Sequence, residues 1–275
     1  WCATSLESGW RNDKHRAQWR NTLAKYAARI NNKPVDAITT DDVLAILKPI
    51  WTAKAETASR VRGRIEKVLD AAKARGLRSG ENPARWRGHL DKLLPRRSKI
   101  APVRHHPAMP YRDLSAFMAQ LRVHEGLSAR ALEFAILTAA RTGEVIGATW
   151  NEIDTEARIW TVPGSRMKSG RGPHRVPLSD RCLMLLAGLP RIHGCNYFFP
   201  GAKAGRPLSN MALLQLMRGM RLQFVPHGFR SSFKDWATET TDHPRDIVEA
   251  ALAHIVGDKV EAAYRRGGAL EKRQM

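Results

Sequence analysis

Residues 130–150, RALEFAILTAARTGEVIGATW, lead into TWNEID (149–154), RIWTVP (158–163) and HRVPLS (174–179), and this passage decides the fold. The first part repeats its apolar residues at helical spacing. The three short pieces that follow are rich in β-branched and aromatic residues and are parted by turn residues, which predicts a small antiparallel sheet. Helical patterns resume over 180–187, 210–222, 228–240, 244–253 and 259–264. A mixed α+β domain, mostly α, is therefore expected over 111–275.

Upstream the texture differs. In DKHRAQWRNTLAKYAARI (13–30), Trp19, Leu23, Tyr26 and Ile30 fall at helical spacing. TTDDVLAILKPI (39–50) opens on good N-cap residues with acidic charge in the first turn, and Pro49 is expected to end it. A third helix is expected over 57–75, with Val61, Ile65, Val68, Leu69 and Ala72 as its core stripe and Gly76 at its C-terminus. These segments predict a helical domain over 1–97. PRRSKIAPVRHHPAMP (95–110) lacks periodicity and reads as an extended linker, placed at 98–110. The chain starts at Trp1 rather than Met and is read as a segment of a longer protein.

Charge narrows the partner. The chain carries 46 Lys+Arg against 26 Asp+Glu, a net +20, and both parts share the surplus: 22 basic to 10 acidic over 1–100, and 24 to 16 thereafter. Such self-repulsion suits a polyanionic partner, and nucleic acid fits best. The basic residues accompany no Trp/Phe/Leu membrane face, and no apolar run approaches the roughly 18 residues of a membrane span. Cys2, Cys182 and Cys195 have no metal-ligand spacing and form a poor disulfide set, which points to a reducing cytoplasm. The adjacent His105 and His106 lack partners at ligand spacing, so no metal site is expected. On the third helix, Arg60, Arg64 and Lys67 recur at i, i+4 and i+7 beside the apolar stripe. They are either a solvated charge row or a ridge laid on DNA phosphates, and we take them as candidate DNA contacts.

The chemistry must come from Arg, Lys, His and Tyr. The sequence holds no GxxxxGK[ST] loop, GxSxG elbow or HExxH pair, and no carboxylate cluster of the two-metal type. Paired arginines can clamp the non-bridging oxygens of a phosphodiester, and a tyrosine can attack its phosphorus and conserve the bond energy as an ester. A lysine can protonate the leaving oxygen and histidines can move or stabilise protons. AARTGEV supplies Arg141 and, three residues on, Glu144; RMKSGRGPHRVPL supplies Lys168 in a turn between strands. PHGFRSSF supplies His227 and Arg230; LAHIVGDKVEAAYRR supplies His254 and Tyr264. Taken singly, each reads as well as a packing, capping or surface residue. The ordered set does not.

That set resembles the tyrosine recombinase (phage integrase) family, whose pattern is Arg, hairpin Lys, His-x-x-Arg, His or Trp, and Tyr. RVRGRIEKVLD (60–70), ENPARWRGHL (81–90), LTAARTGEV (137–145) and EAALAHIVGDKVEAAYRR (249–266) are most similar to integrases of genomic islands and P4-like satellite phages, and the likeness spans about residues 10–272. The resemblance implies a core-binding domain followed by the family's catalytic domain, without the arm-binding domain. It implies that Arg141 and Arg230 bind the scissile phosphate, Tyr264 attacks it, Lys168 is the general acid, His227 handles the nucleophile's proton, His254 bonds a phosphate oxygen and Glu144 orients Arg141. Two departures stand out: the turn after Lys168 is about a residue longer than the family pattern, and the chain stops at Met275, where relatives continue. It further implies metal- and cofactor-independent integration or excision of a mobile element, double-stranded attachment-site DNA as partner, a tetramer on that DNA, and accessory DNA-bending proteins. A type IB topoisomerase and a non-cleaving DNA-binding regulator are the alternatives.

Overall fold

A computed structural model describes residues 13–100, 107–167, 172–254 and 270–274. The chain divides into two compact units, Trp1–Arg104 and His105–Met275.

The first unit is built on α1 (Asp13–Tyr26), α2 (Thr40–Trp51) and α3 (Ala55–Ala74), followed by the single turn α4 (Arg97–Ile100). A capping box starts α2: the Thr39 hydroxyl accepts from Asp42 N–H, and the Asp42 carboxylate accepts from Thr39 N–H at 3.0 Å. Pro49 does not end this helix. It lies inside it, and the chain stays helical to Trp51, whose ring is buried against Trp86 with centroids 5.5 Å apart. The one helical hydrogen bond forfeited by Pro49 is offset by that anchorage. At the end of α3, Gly76 takes φ +71°, Gly76 N–H bonds Lys73 O and Leu77 N–H bonds Ala72 O, a Schellman closure. The expected stripe is buried at Val61, Ile65, Leu69 and Ala72, while Val68 is half-buried. The expected extended linker begins instead with α4, and residues 101–106, with His105 and His106, lie outside the described residues.

The second unit contains α5 (Leu114–Val123), α6 (Leu127–Thr138), α7 (Thr142–Ile146), β1 (Ile153–Asp154), β2 (Ile159–Val162), β3 (His174–Pro177), α8 (Asp180–Ala187), α9 (Ala212–Gly219), α10 (Gly228–Thr240), α11 (Arg245–Ala251) and α12 (Leu270–Gln274). The sheet is antiparallel in the order β1-β2-β3, with Trp160 opposite both Ile153 and Val176. The unit is thus mostly helical with one small antiparallel sheet. The continuous helix suggested by 130–146 is broken: Ala139 turns left-handed at φ 49°, which ends α6 and lets α7 start afresh from Arg141.

Helix α6 is the central post. Its Phe134 is fully buried and meets Trp160, Phe198 and Phe199 at centroid distances of 5.2, 6.0 and 6.0 Å. On the same helix the buried Glu133 carboxylate accepts from Arg122 of α5, from Arg130 and from Arg181 of α8, so three arginines tie three helices together. Helix α10 is seated by close backbone approach. A Cβ at Gly228 would sit 2.4 Å from Pro107 O, and Ser232 Oγ donates to Met109 O. No helix among the described residues is long and apolar enough to cross a membrane.

Candidate active site

Four of the sequence-derived residues meet at one place in the second unit. Arg141 lies at the N-cap of α7, half-buried, with its Nη1 donating to Glu144 Oε1 at 2.8 Å. The other carboxylate oxygen of Glu144 accepts from Arg141 N–H at 2.9 Å, so one buried acid holds both the backbone and the guanidinium of the same arginine. Arg230, from the first turn of α10, is only 6% exposed; its Nη1 donates to Ala139 O and its Nη2 to Leu252 O. Arg141 Nη2 reaches the same Leu252 carbonyl at 3.4 Å and Ala253 O at 3.3 Å. Two guanidinium groups from different helices therefore converge on one stretch of backbone.

Local backbone geometry makes this convergence. Both Ala139 and Ala253 adopt φ 49°, a conformation that costs an L-residue about 1–2 kcal/mol. At Ala253 the turn closes α11 in a Schellman pattern, with Ala253 N–H on Ala250 O and His254 N–H on Glu249 O at 2.9 Å. That closure leaves the Leu252 and Ala253 carbonyls free to face the arginines and returns the chain over α11 at His254.

The His254 ring is oriented from both sides. Its Nδ1 lies 2.6 Å from Glu249 Oε2, and its Nε2 lies 3.3 Å from Arg230 Nη2. Carboxylates only accept and guanidiniums only donate, so the neutral ring carries its proton on Nδ1. Glu249 is held in turn by Lys234 Nζ at 2.6 Å, which keeps its carboxyl below the usual carboxylate range together with the His254 contact. Burial, reinforced by the neighbouring Arg141 charge, lowers Arg230 to about 10, while Glu144 opposes that shift. Arg230 Nε is buried and finds no partner among the described residues. Arg141, Arg230 and Lys234 outnumber Glu144 and Glu249 here, a cationic excess that suits an anion.

His227 caps α10, is exposed, and its carbonyl accepts Arg230 N–H at 3.2 Å. Lys168 and Tyr264 lie outside the described residues. Sequence reasoning passed over Glu249, Lys234 and His174. The last stands at the start of β3, where burial, reinforced by Arg273 and opposed by Glu144 and a bond to the Ala251 carbonyl, brings its ring to about 4. No spacing rule marks these residues, because their partners come from other elements.

In the first unit the expected basic ridge needs correction. Arg64 is buried; its Nη1 donates to Gln18 O at 2.7 Å and to Thr22 Oγ1, and its guanidinium lies 5.4 Å from the centre of the Trp19 ring. It is committed to α1 and stands off the exposed face that carries Arg60 and Lys67. Arg60 and Lys67 are exposed, with Arg60 paired to Glu56 at 3.0 Å and Lys67 Nζ 6.0 Å from the Trp19 ring centre. On the same unit, Trp51, Trp86, Arg62, Arg87, Arg96 and Arg97 line a recess of about 480 Å³.

Comparison with known proteins follows this division. Residues 1–89 match the phage integrase central domain and residues 109–267 match the phage integrase family. Prophage integrase IntA of Escherichia coli (strain K12) is 29% identical over 263 residues, covering 93% of this chain and 61% of its own length. Prophage integrase IntZ of the same organism is 30% identical over 279 residues, covering 100% of this chain and 66% of its own. The chain thus spans about three-fifths to two-thirds of these relatives. Among solved structures, a lambda integrase (75–356) dimer bound to a COC' core site superposes with TM-score 0.70 at 17% identity, covering 94% of this chain and 93% of that one. A lambda integrase tetramer bound to a Holliday junction gives 0.68 at 16% identity, over 94% and 77%. At these identities the superpositions speak to the fold.

Proposed function

The chain belongs to the phage integrase family, and from that premise we propose that it is a site-specific DNA recombinase acting through a 3′-phosphotyrosyl intermediate. The observation that carries the reading is the convergence of Arg141 and Arg230 on one backbone carbonyl with the His254 ring beside them. A phosphodiester seated there receives two forked donors on its non-bridging oxygens, where charge accumulates in the pentavalent transition state. Glu144 keeps the Arg141 fork aimed, and the carbonyls of Ala139 and Leu252 do the same for Arg230.

The remaining roles rest on the order and spacing of the family motif. Tyr264 attacks phosphorus, forming the tyrosyl–phosphate bond as the bond to the 5′ oxygen breaks. His227 takes the tyrosine proton, and Lys168 delivers one to the departing oxygen. Attack by the 5′ hydroxyl of another strand reverses each step and frees the tyrosine, so no external energy source is consumed. Two strand exchanges in a tetramer, the assembly in which lambda integrase is bound to a Holliday junction, complete the reaction on double-stranded attachment sites in the cytoplasm, with DNA-bending proteins as accessory partners. We assign residues 1–97 to core-site binding, 98–110 to the linker and 111–275 to catalysis. The exposed Arg60 and Lys67, with Arg87 and Arg96 at the tryptophan-lined recess, provide phosphate contacts on the first unit.

The test is strand exchange between two labelled duplexes carrying the attachment site of the element. Recombinant strands together with covalent adduct support the reading. Adduct with resealing of the original strand only assigns a topoisomerase, and tight binding with neither product assigns a regulator.

A further inference from the structure

We propose that Lys234 and Glu249 are a positioning pair that sets the protonation of His254 at the scissile phosphate; the role rests on the recombinase reading above. The geometry is a linear chain across three segments: Lys234 Nζ of α10 to Glu249 Oε1 of α11 at 2.6 Å, Glu249 Oε2 to His254 Nδ1 at 2.6 Å, and His254 Nε2 to Arg230 Nη2 at 3.3 Å. Glu249 is 8% exposed, whereas Lys234 and His254 are each more than two-fifths exposed at the side chain. The buried acid thus joins two groups that still reach the surface. The Schellman closure fixes the register, since the His254 amide is bonded to the carbonyl of Glu249 itself.

The requirement is chemical. With Nδ1 donating to Glu249, Nε2 accepts from Arg230. To donate to a phosphate oxygen, the same nitrogen must carry a proton while Nδ1 keeps its own, so the ring must become an imidazolium. The charges around it oppose that step: Arg230 contacts the ring, and Arg141 bonds the adjacent carbonyl of Ala253. Among the described residues Glu249 is the one anion bonded to the ring, and it offsets them there as Glu144 does at Arg141. Lys234 keeps it ionised. The pair therefore holds Nε2 as an acceptor toward Arg230 and makes it a donor once a phosphate adds its own negative charge.

Two measurements on the full chain test this. The ring nitrogen shifts of His254 in ¹⁵N-labelled protein, identified by their loss in His254→Gln, report the tautomer without DNA. A neutral ring protonated on Nδ1 is expected in wild type and is lost in Glu249→Gln. A wild-type ring protonated on Nε2 overturns the proposal. Adduct formation on a nicked duplex then measures the effect on reaction. Glu249→Gln is expected to slow it about a hundredfold at neutral pH and less at acid pH, with duplex affinity kept within about twofold. In a His254→Ala background the same substitution costs no more than about threefold. An equal cost in both backgrounds, or a pH-independent one, assigns Glu249 a structural role and overturns the proposal. A wild type that shows the Nδ1 tautomer yet forms no adduct on any duplex overturns the recombinase reading instead, so the two failures are distinguishable.

Discussion

Arg64 in the first unit and Arg230 in the second are both nearly enclosed, at 9% and 6% exposed, yet they are buried in opposite senses. Arg64 is surrounded by groups that satisfy it: a carbonyl and a hydroxyl of α1 and the face of Trp19. Arg230 bonds two carbonyls beside strained alanines, leaves its Nε without a partner among the described residues, and faces a second arginine. The first arrangement is complete as it stands. The second leaves a buried N–H donor over. Burial alone does not make an arginine structural; what the guanidinium faces decides it.

This contrast can be broken most directly by exchanging the outcomes. Arg230→Gln is expected to lower adduct formation by about a thousandfold or more, because a preorganised donor pair on the phosphate is lost. Arg64→Met is expected to leave the adduct rate of folded protein unchanged while lowering unfolding stability by roughly 2 kcal/mol through the orphaned acceptors of α1. Adduct kinetics beside urea unfolding of the same preparations check both. An Arg64→Met protein that is fully folded and inactive would overturn the distinction.

A smaller effect sharpens it. His174 has its folded pKa at about 4, below the ordinary 6.5, so between those values the unfolded chain binds a proton that the folded chain refuses. The fold loses stability as pH drops through that window, on the order of 3 kcal/mol in total, and no further contribution appears above 6.5. His174→Asn removes this dependence. Urea midpoints of the two proteins at pH 4.5 and 7.5 measure it, and identical slopes with pH would refute the assignment.

Much of the site was legible because its members announce themselves locally. Arg141 with Glu144 and His227 with Arg230 are pairs three residues apart, and their spacing survives folding intact. The helices at 180–187 and 228–240 emerge with the bounds that their capping and periodicity suggest. Arg64 was misjudged although a signal existed: it lies three residues after Val61 and four before Val68, on the apolar stripe rather than beside it. Pro49 and Ala139 show the limits of local rules, since a buried tryptophan carries one helix past a proline and a left-handed alanine stops another without a glycine. Lys234 and Glu249 are fifteen residues apart on separate helices, and only the turn at Ala253 brings them to His254. The nucleophile and the general acid rest on motif order, as Tyr264 and Lys168 lie outside the described residues.

The central claim is covalent catalysis by Tyr264, and the most direct measurement is trapping on a nicked duplex that carries the attachment site and loses its short leaving strand after cleavage. Wild type and Tyr264→Phe are compared at equal duplex occupancy. The account predicts an SDS-resistant protein–DNA adduct with wild type and none with Tyr264→Phe, whose affinity for the duplex is unchanged. An adduct that persists in Tyr264→Phe at the wild-type yield, or a wild type that occupies the duplex and forms none, would contradict it.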